Sequence, residues 1–267
     1  MPVSTPARRM GLLLVATALI AACSTSPTGR RTVKLYNSAQ MDQMGLAAYE
    51  QTKQELPTSK SGSDRAYVAC VSRELTNLVG GQWEVTLFED DSANAFALPG
   101  GKIGVNTGLL KVAQSPAQLA AVIGHEIAHV QAEHSNERLS ASSLAGIGME
   151  LGAVAAGAAG VENQALLMAA LGMGVQVGAL LPFSRTHESE ADILGQNLMA
   201  RAGFDPRESA ALWQNMAKNS GGAPPEWMST HPSHSTRIGD LQQNYATSVP
   251  LYEQARSAGR KPSCKRG

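Results

Sequence analysis

Residues 125–129 read His-Glu-Ile-Ala-His, two imidazoles four positions apart with a carboxylate directly after the first. On a helix, residues i and i+4 share a face, so His125 and His129 can aim two ring nitrogens at one metal ion while Glu126 projects beside them. The chemistry this suits is zinc-assisted hydrolysis, with two ligands and a general base drawn from one helical turn. Three fixed positions also recur by chance in unrelated chains, so a third ligand decides the matter. Downstream, residues 184–192 read SRTHESEAD, in which Glu188 and Asp192 again stand four apart. A carboxylate at 188 completes a His–His–Glu zinc site with one open position. Asp192, one turn on, is placed to accept a hydrogen bond from a ligand histidine and hold its ring.

Both stretches carry helix signals. Ser115 is a good N-cap, Pro116 suits the first helical position, and Gln118 completes an S-x-x-Q capping box. From there Leu119, Ile123, Ile127 and Val130 form one apolar stripe, and the two histidines project from a neighbouring face. The second helix opens after Ser184, runs through Ile193, Leu194, Leu198 and Met199, and stops at Gly203 with Pro206 beyond. Asp64–Val79 has Val68, Val71, Leu75 and Leu78 at helical spacing. Trp83, Val85 and Leu87 alternate with Glu84 and Thr86, and Leu98-Pro99-Gly100-Gly101 reads as a turn between Ala93–Ala97 and Lys102–Asn106. Two or three antiparallel strands are therefore expected before the first helix of the site. Between Leu144 and Phe183 the chain is rich in Ala, Gly, Leu and Met with only Glu150 and Glu162 charged, which predicts a buried or interfacial helical hairpin, a transmembrane pair being the alternative.

The 267 residues are 43% hydrophobic, enough for one sizeable core. With 22 basic and 22 acidic residues and no basic face in the middle of the chain, nucleic acid has no electrostatic footprint to bind. Residues 1–22 have the build of an export signal: Arg8 and Arg9, then an apolar run from Met10 to Ala21 too short to span a bilayer comfortably. Ile20-Ala21-Ala22-Cys23 resembles a bacterial lipobox, which implies acylation of Cys23 and a membrane-tethered but otherwise soluble chain. Ser24 after that cysteine implies the outer membrane, and Ser24 to Arg31 reads as a short mobile tether. Cys70 and Cys264 remain as an even pair in a compartment that permits disulfides, and a bridge would pin the basic tail of Arg256, Arg260, Lys261, Lys265 and Arg266 to the body.

HEIAH, SRTHESEAD and Thr230-His231-Pro232 followed by Arg237 come in the order of the HtpX/Oma/CaaX-prenyl-protease family of gluzincin metallopeptidases, which the chain resembles from about Ser63 to Tyr245. It is most similar to the periplasmic outer-membrane lipoprotein members. The resemblance implies one zinc ion on His125, His129 and Glu188, Glu126 as catalytic base, and Asp192 as the support of a ligand ring. It further implies that His231 approaches the metal or the oxyanion, with Arg237 near the cleft to help hold that charge. Asn94 and Ala95, in Asn94-Ala95-Phe96-Ala97, resemble the start of the edge strand on which gluzincins pair the substrate backbone. His134 and His187 are expected on the surface, and His234 lacks the proline that follows His231.

The fold expected is α+β, a mainly helical zincin-type domain with a small antiparallel sheet. Its parts would be a lipoprotein signal at 1–22, a lipidated tether and N-terminal segment at 23–62, the metallopeptidase domain at 63–245 and a basic tail at 246–267. Larger periplasmic relatives append a helical-repeat domain, and none is expected here. The function implied is a zinc endopeptidase of the bacterial envelope that degrades misfolded or misassembled envelope proteins. The alternative is a metal-stabilised, chaperone-like quality-control factor for outer-membrane protein assembly.

Overall fold

The structure, a computed structural model, describes residues 23–144, 183–219, 231 and 236–266. The predicted tether does not run free. β1 (Cys23–Thr25) and β2 (Arg31–Val33) pair as an antiparallel hairpin, Cys23 opposite Val33. Its turn is closed by Ser26, which accepts from the backbone of Gly29 and Arg30, and it is tied to the body by polar side chains described below. Next, α1 (Ser38–Glu55) starts from a reciprocal capping box between Asn37 and Gln40. Its buried positions, Met41, Gly45, Ala48, Tyr49 and Thr52, follow helical spacing, but small and polar types among them mute the sequence signal. α2 (Gly62–Val79) begins two residues before its expected start because Ser61 caps it, accepting from the N–H of Asp64. Val68, Val71 and Leu75 are buried as predicted.

The small sheet is present, with one pairing of unexpected direction. β3 (Glu84–Phe88), β4 (Ala95–Leu98) and β5 (Lys102–Asn106) lie in the order β3-β5-β4. β4 and β5 form the expected antiparallel hairpin, whose turn uses Gly100 and Gly101 at φ 79° and 71°, a region costly for other residues. β3, however, runs parallel to β5. Alternation of side chains fixes which residues share a face but leaves the direction of pairing open. What sets it is the crossing after Phe88, where Asp90 and Thr107 exchange hydrogen bonds of 3.1 and 2.9 Å between backbone and hydroxyl. β5 is central, and β3 and β4 are the two edge strands.

α3 (Leu109–Val112) leads to α4 (Pro116–Gln131), the helix at the centre of the core. Ser115 caps α4 through the N–H of Gln118, but the return bond from Gln118 Oε1 reaches the N–H of Gln114 instead of Ser115. After Ala132 and Glu133 the chain turns into a further helical segment, α5 (134–144). α6 (Arg185–Arg201) is capped by Ser184 and ends at Gly203, φ 89°, as expected. α7 (Glu208–Asn219), α8 (Arg237–Gln243) and α9 (Tyr245–Ser257) complete the body. The expected helical hairpin at 145–182 lies outside the described residues, and among the described residues no helix is long and apolar enough to cross a membrane.

α4 and α6 pack at glycine on glycine. A Cβ built on Gly195 would stand 2.7 Å from His125 N and 2.8 Å from Gly124 C, and one on Gly124 would stand 3.0 Å from Gly195 O. This close approach lets side chains one turn away on the two helices share a single point. The basic tail is more than an appendage: α9 packs on α6, Cys264 is joined to Cys70 (S–S 2.02 Å, Cα–Cα 5.6 Å), and Arg266 pairs with Asp64 at 2.8 Å.

Candidate metal centre

α4 supplies His125, Glu126 and His129, α6 supplies Glu188 and Asp192, and His231 arrives from the segment before α8; all six are buried. His125 Nε2 lies 3.0 Å from His129 Nε2, 3.3 Å from His231 Nδ1 and 3.4 Å from Glu188 Oε2. Glu188 Oε1 lies 3.4 Å from His129 Nε2 and 3.0 Å from His231 Nδ1. Donors at about 2.0–2.1 Å from a tetrahedral zinc stand about 3.3 Å from one another. The observed separations match that edge, so the four groups fit one zinc ion as they stand.

The electrostatics agree. Burial alone would lower His125, but hydrogen bonds to Asp192 and Glu188 outweigh it and raise the ring to about 9. Burial dominates at His129 and holds it well below the ordinary histidine range. Glu188, despite burial that favours its neutral form, is kept well below the usual carboxylate range by the histidines around it. His125 therefore favours its protonated form at neutral pH, beside the place where a cation would bind. Zinc would displace that proton, as ligand histidines require.

A family model described as Peptidase family M48 matches residues 65–245. The chain belongs to peptidase family M48. M48 metallopeptidases use zinc, and the cluster just described is a group able to bind such an ion. Among its relatives, the mitochondrial metalloendopeptidase OMA1 of Schizosaccharomyces pombe is 33% identical over 219 residues, 78% of this chain and 63% of that protein. OMA1 of Saccharomyces cerevisiae is 35% identical over 188 residues, 67% of this chain and 51% of that protein. The beta-barrel assembly-enhancing protease of Yersinia pestis is 32% identical over 165 residues, 58% of this chain and 33% of that protein. The M48 chain thus spans between about a third and two thirds of the length of these curated relatives.

Asp192 Oδ1 accepts from His125 Nδ1 at 2.9 Å, which fixes the tautomer that leaves Nε2 free for the metal. Arg237 lies beside the cluster, as the resemblance implies. Its guanidinium, 1% exposed, lies on the Nδ1 side of the His125 ring, away from Nε2, and pairs with Asp192 at 2.6 Å and Glu188 at 3.2 Å while stacking 3.6 Å over Trp213. Both Nη atoms bond these carboxylates. Glu188 is split by this pairing, Oε2 toward Arg237 and Oε1 toward His129 and His231. Glu126 Oε1 is 3.4 Å from His231 Nε2, on the other side of that ring from the cluster.

The expectation that His134 and His187 are surface residues is overturned: their exposures are 0% and 8%. α4 ends at Gln131, and Glu133 adopts φ 56°, so the helical angle counted onward from His129 no longer applies to His134. His134 Nδ1 is 2.9 Å from His129 Nδ1 and its Nε2 is 3.1 Å from Glu190 Oε2. Burial lowers it to about 4. His187 does leave the face of Glu188, but its face meets α5, with Nε2 3.2 Å from Glu137 and the ring stacked 4.4 Å from His134.

Phe183, just before the cap of α6, stacks 4.0 Å from His129, and Arg138 lies 4.1 Å over the other partner of that stack, the Phe183 ring. His134, Glu190 and Phe183 were not legible as site residues, although a second carboxylate two positions after Glu188 and a second histidine five after His129 were the available signals. His234 lies outside the described residues.

Proposed function

We propose that this M48 chain is a zinc-dependent endopeptidase of the bacterial cell envelope that cleaves misfolded or misassembled envelope proteins. The observation that carries the catalytic part is the donor set on α4 and α6 with Glu126 buried at its margin. Zinc, when bound, acts as a Lewis acid that acidifies water and polarises a scissile carbonyl. Glu126 takes the proton from the attacking water and returns it to the leaving amine. Asp192 and Arg237 keep the ligand atoms of His125 and Glu188 in place throughout. β4, one of the two edge strands, offers the substrate backbone a pairing partner from Ala95 onward. Ala95 N–H is held by Asn94 Oδ1 at 2.9 Å, so a substrate carbonyl would exchange with that side chain.

The envelope part rests on the export signal, on Cys23 in its lipobox-like setting and on similarity to proteins named beta-barrel assembly-enhancing protease. It includes a lipid anchor at Cys23 and the outer membrane as location. The decisive experiment is digestion of an unfolded protein by the mature chain with and without chelator. Glu126→Gln should keep zinc and lose cleavage, and a variant that cuts at the wild-type rate would sink the assignment.

One observation favours a second reading. His231 supplies a fourth protein donor, and a closed four-donor set is the mark of structural zinc rather than catalytic zinc. In the first reading His231 is a removable guard, which then faces the developing oxyanion once substrate displaces it. In the second, the chain is a metal-stabilised holdase. Rescue of a deletion phenotype by Glu126→Gln would select the holdase.

A further inference from the structure

His125 is backed directly by Asp192, which Arg237 holds. His129 has no carboxylate at its Nδ1; it has His134. If Nε2 of His129 binds zinc, its Nδ1 carries the proton and donates to Nδ1 of His134 at 2.9 Å. His134, accepting at Nδ1, carries its own proton on Nε2 and donates it to Glu190 Oε2 at 3.1 Å. Every hydrogen bond of the chain is then satisfied by neutral rings and one carboxylate.

Glu190 is held from the N-terminal hairpin. Thr28 gives Oε1 its hydroxyl at 2.6 Å and its N–H at 3.2 Å. Arg30 reaches Oε2 through Nε at 2.8 Å and forks onto Glu137 at 2.8 and 3.0 Å. His134, Glu137 and His187 could by count hold a second metal, but Arg30 already supplies the cation that their carboxylates face.

We propose that His134 and Glu190 are positioning residues for the metal centre, a relay that orients His129 through its Nδ1–H. In this arrangement hairpin β1–β2 is a strap that fixes the relay's far end through Thr28 and Arg30. The two ligand histidines are then supported alike, each by a carboxylate held by an arginine, with one imidazole inserted on the His129 side. The strap begins at Cys23, so the segment nearest the expected anchor is part of the metal site's support. The proposal rests on His129 being a zinc ligand.

The test measures zinc affinity by chelator competition, and the absorption spectrum of the cobalt-substituted protein, on the mature chain. Glu190→Gln, Arg30→Ala and His134→Phe should each weaken zinc about 10–100-fold, the usual cost of losing a ligand's hydrogen-bond partner, and should shift the cobalt bands. Arg30→Lys should recover part of the loss. Lys34→Ala, which removes only the hairpin's pair with Glu133, should change neither reading. A purely structural hairpin would lower the melting temperature of the metal-free variants without moving the cobalt spectrum. Should His134→Phe not fold, Glu190→Gln and Arg30→Ala decide. His125→Ala separates the two levels of the argument. If it binds zinc like the wild type, the ligand assignment falls. If it loses zinc while the folded relay variants keep wild-type affinity and spectrum, the relay alone is overturned.

Discussion

Gly195→Ala tests how the fold makes the site. The added Cβ would stand 2.7 Å from His125 N and 2.8 Å from Gly124 C and His125 Cα, all backbone atoms of α4. Carbon contacts relax to about 3.5–4.0 Å, so α4 and α6 must part by about 0.7–1 Å. Overpacking of this kind costs about 1–3 kcal/mol, offset by about 1 kcal/mol because alanine is the better helix former. The net loss of at most about 2 kcal/mol lowers the melting temperature of a domain this size by no more than about 8 °C. Metal–ligand distances tolerate only about 0.2 Å, however, and the ligands are divided between these two helices. Zinc affinity should therefore fall about tenfold or more while the chain stays folded. Gly124→Ala is the control. Its Cβ meets only Gly195 O at 3.0 Å, with the next atoms at 3.6 Å, and alanine's helix preference should nearly cancel that contact. Thermal unfolding in chelator, paired with chelator competition for zinc, separates the two effects. Wild-type zinc affinity in folded Gly195→Ala, or greater damage from Gly124→Ala, would refute the claim that glycine-on-glycine contact sets the ligand geometry.

His231→Ala opens the fourth donor position, so basal cleavage of an unfolded protein should rise severalfold if His231 guards the site; unchanged or lost cleavage would contradict the guard. Acid should release the hairpin before the core. Burial favours the neutral form of Glu137, but bonds from His187 and Arg30 outweigh it and depress the carboxyl to about 2, and Glu190 is depressed further still by hydroxyl, histidine and arginine donors. A depressed folded-state value gives stability that is present above about 4.5 and lost as pH falls toward about 2. Amide exchange across 23–33 should accelerate in that window ahead of α4, and simultaneous loss of both would be the wrong outcome. Reduction of Cys70–Cys264, which closes a loop of sequence separation 194, should destabilise the fold by about 2–5 kcal/mol in the chain-entropy view. A matched urea midpoint for Cys70→Ser/Cys264→Ser and wild type would argue against it.

The ligands were legible because each pair sits on one helix. His125 with His129 and Glu188 with Asp192 are i, i+4 pairs flanked by strong caps at Ser115 and Ser184, so local rules suffice. α1 was not legible, because Gly45, Ala48 and Thr52 on its buried face carry little hydropathy contrast. The parallel pairing of β3 depends on a crossing that alternation does not encode. The relay is the clearest case. His129 to His134 crosses a helix break at Glu133, and Glu190 to Thr28 and Arg30 spans 162 and 160 residues. Burial of those polar groups is a property of the assembled fold, and no periodicity announces it.

The charge arrangement explains why the site needs such support. Arg237 faces two carboxylates, Glu188 and Asp192, in surroundings where both are almost fully buried. One cation against two anions leaves a buried negative charge, and unpaired buried charge is costly. The proton that His125 keeps, its ring raised to about 9 by Asp192 and Glu188 against the effect of burial, offsets it in the metal-free site. A zinc ion held by His125, His129, Glu188 and His231 would exchange that proton for two positive charges, in a place already shaped by the donor separations. Glu188 and both histidines would then form one rigid unit, with Asp192–Arg237 on one side. On the other side stands Glu190, which is nearly buried and ringed by Thr28, Arg30 and His134. An M48 site built this way would be tied together from within by the metal and is braced from without by two arginines. One of them stands on α8 and the other on a hairpin that hydropathy alone would have taken for a tether.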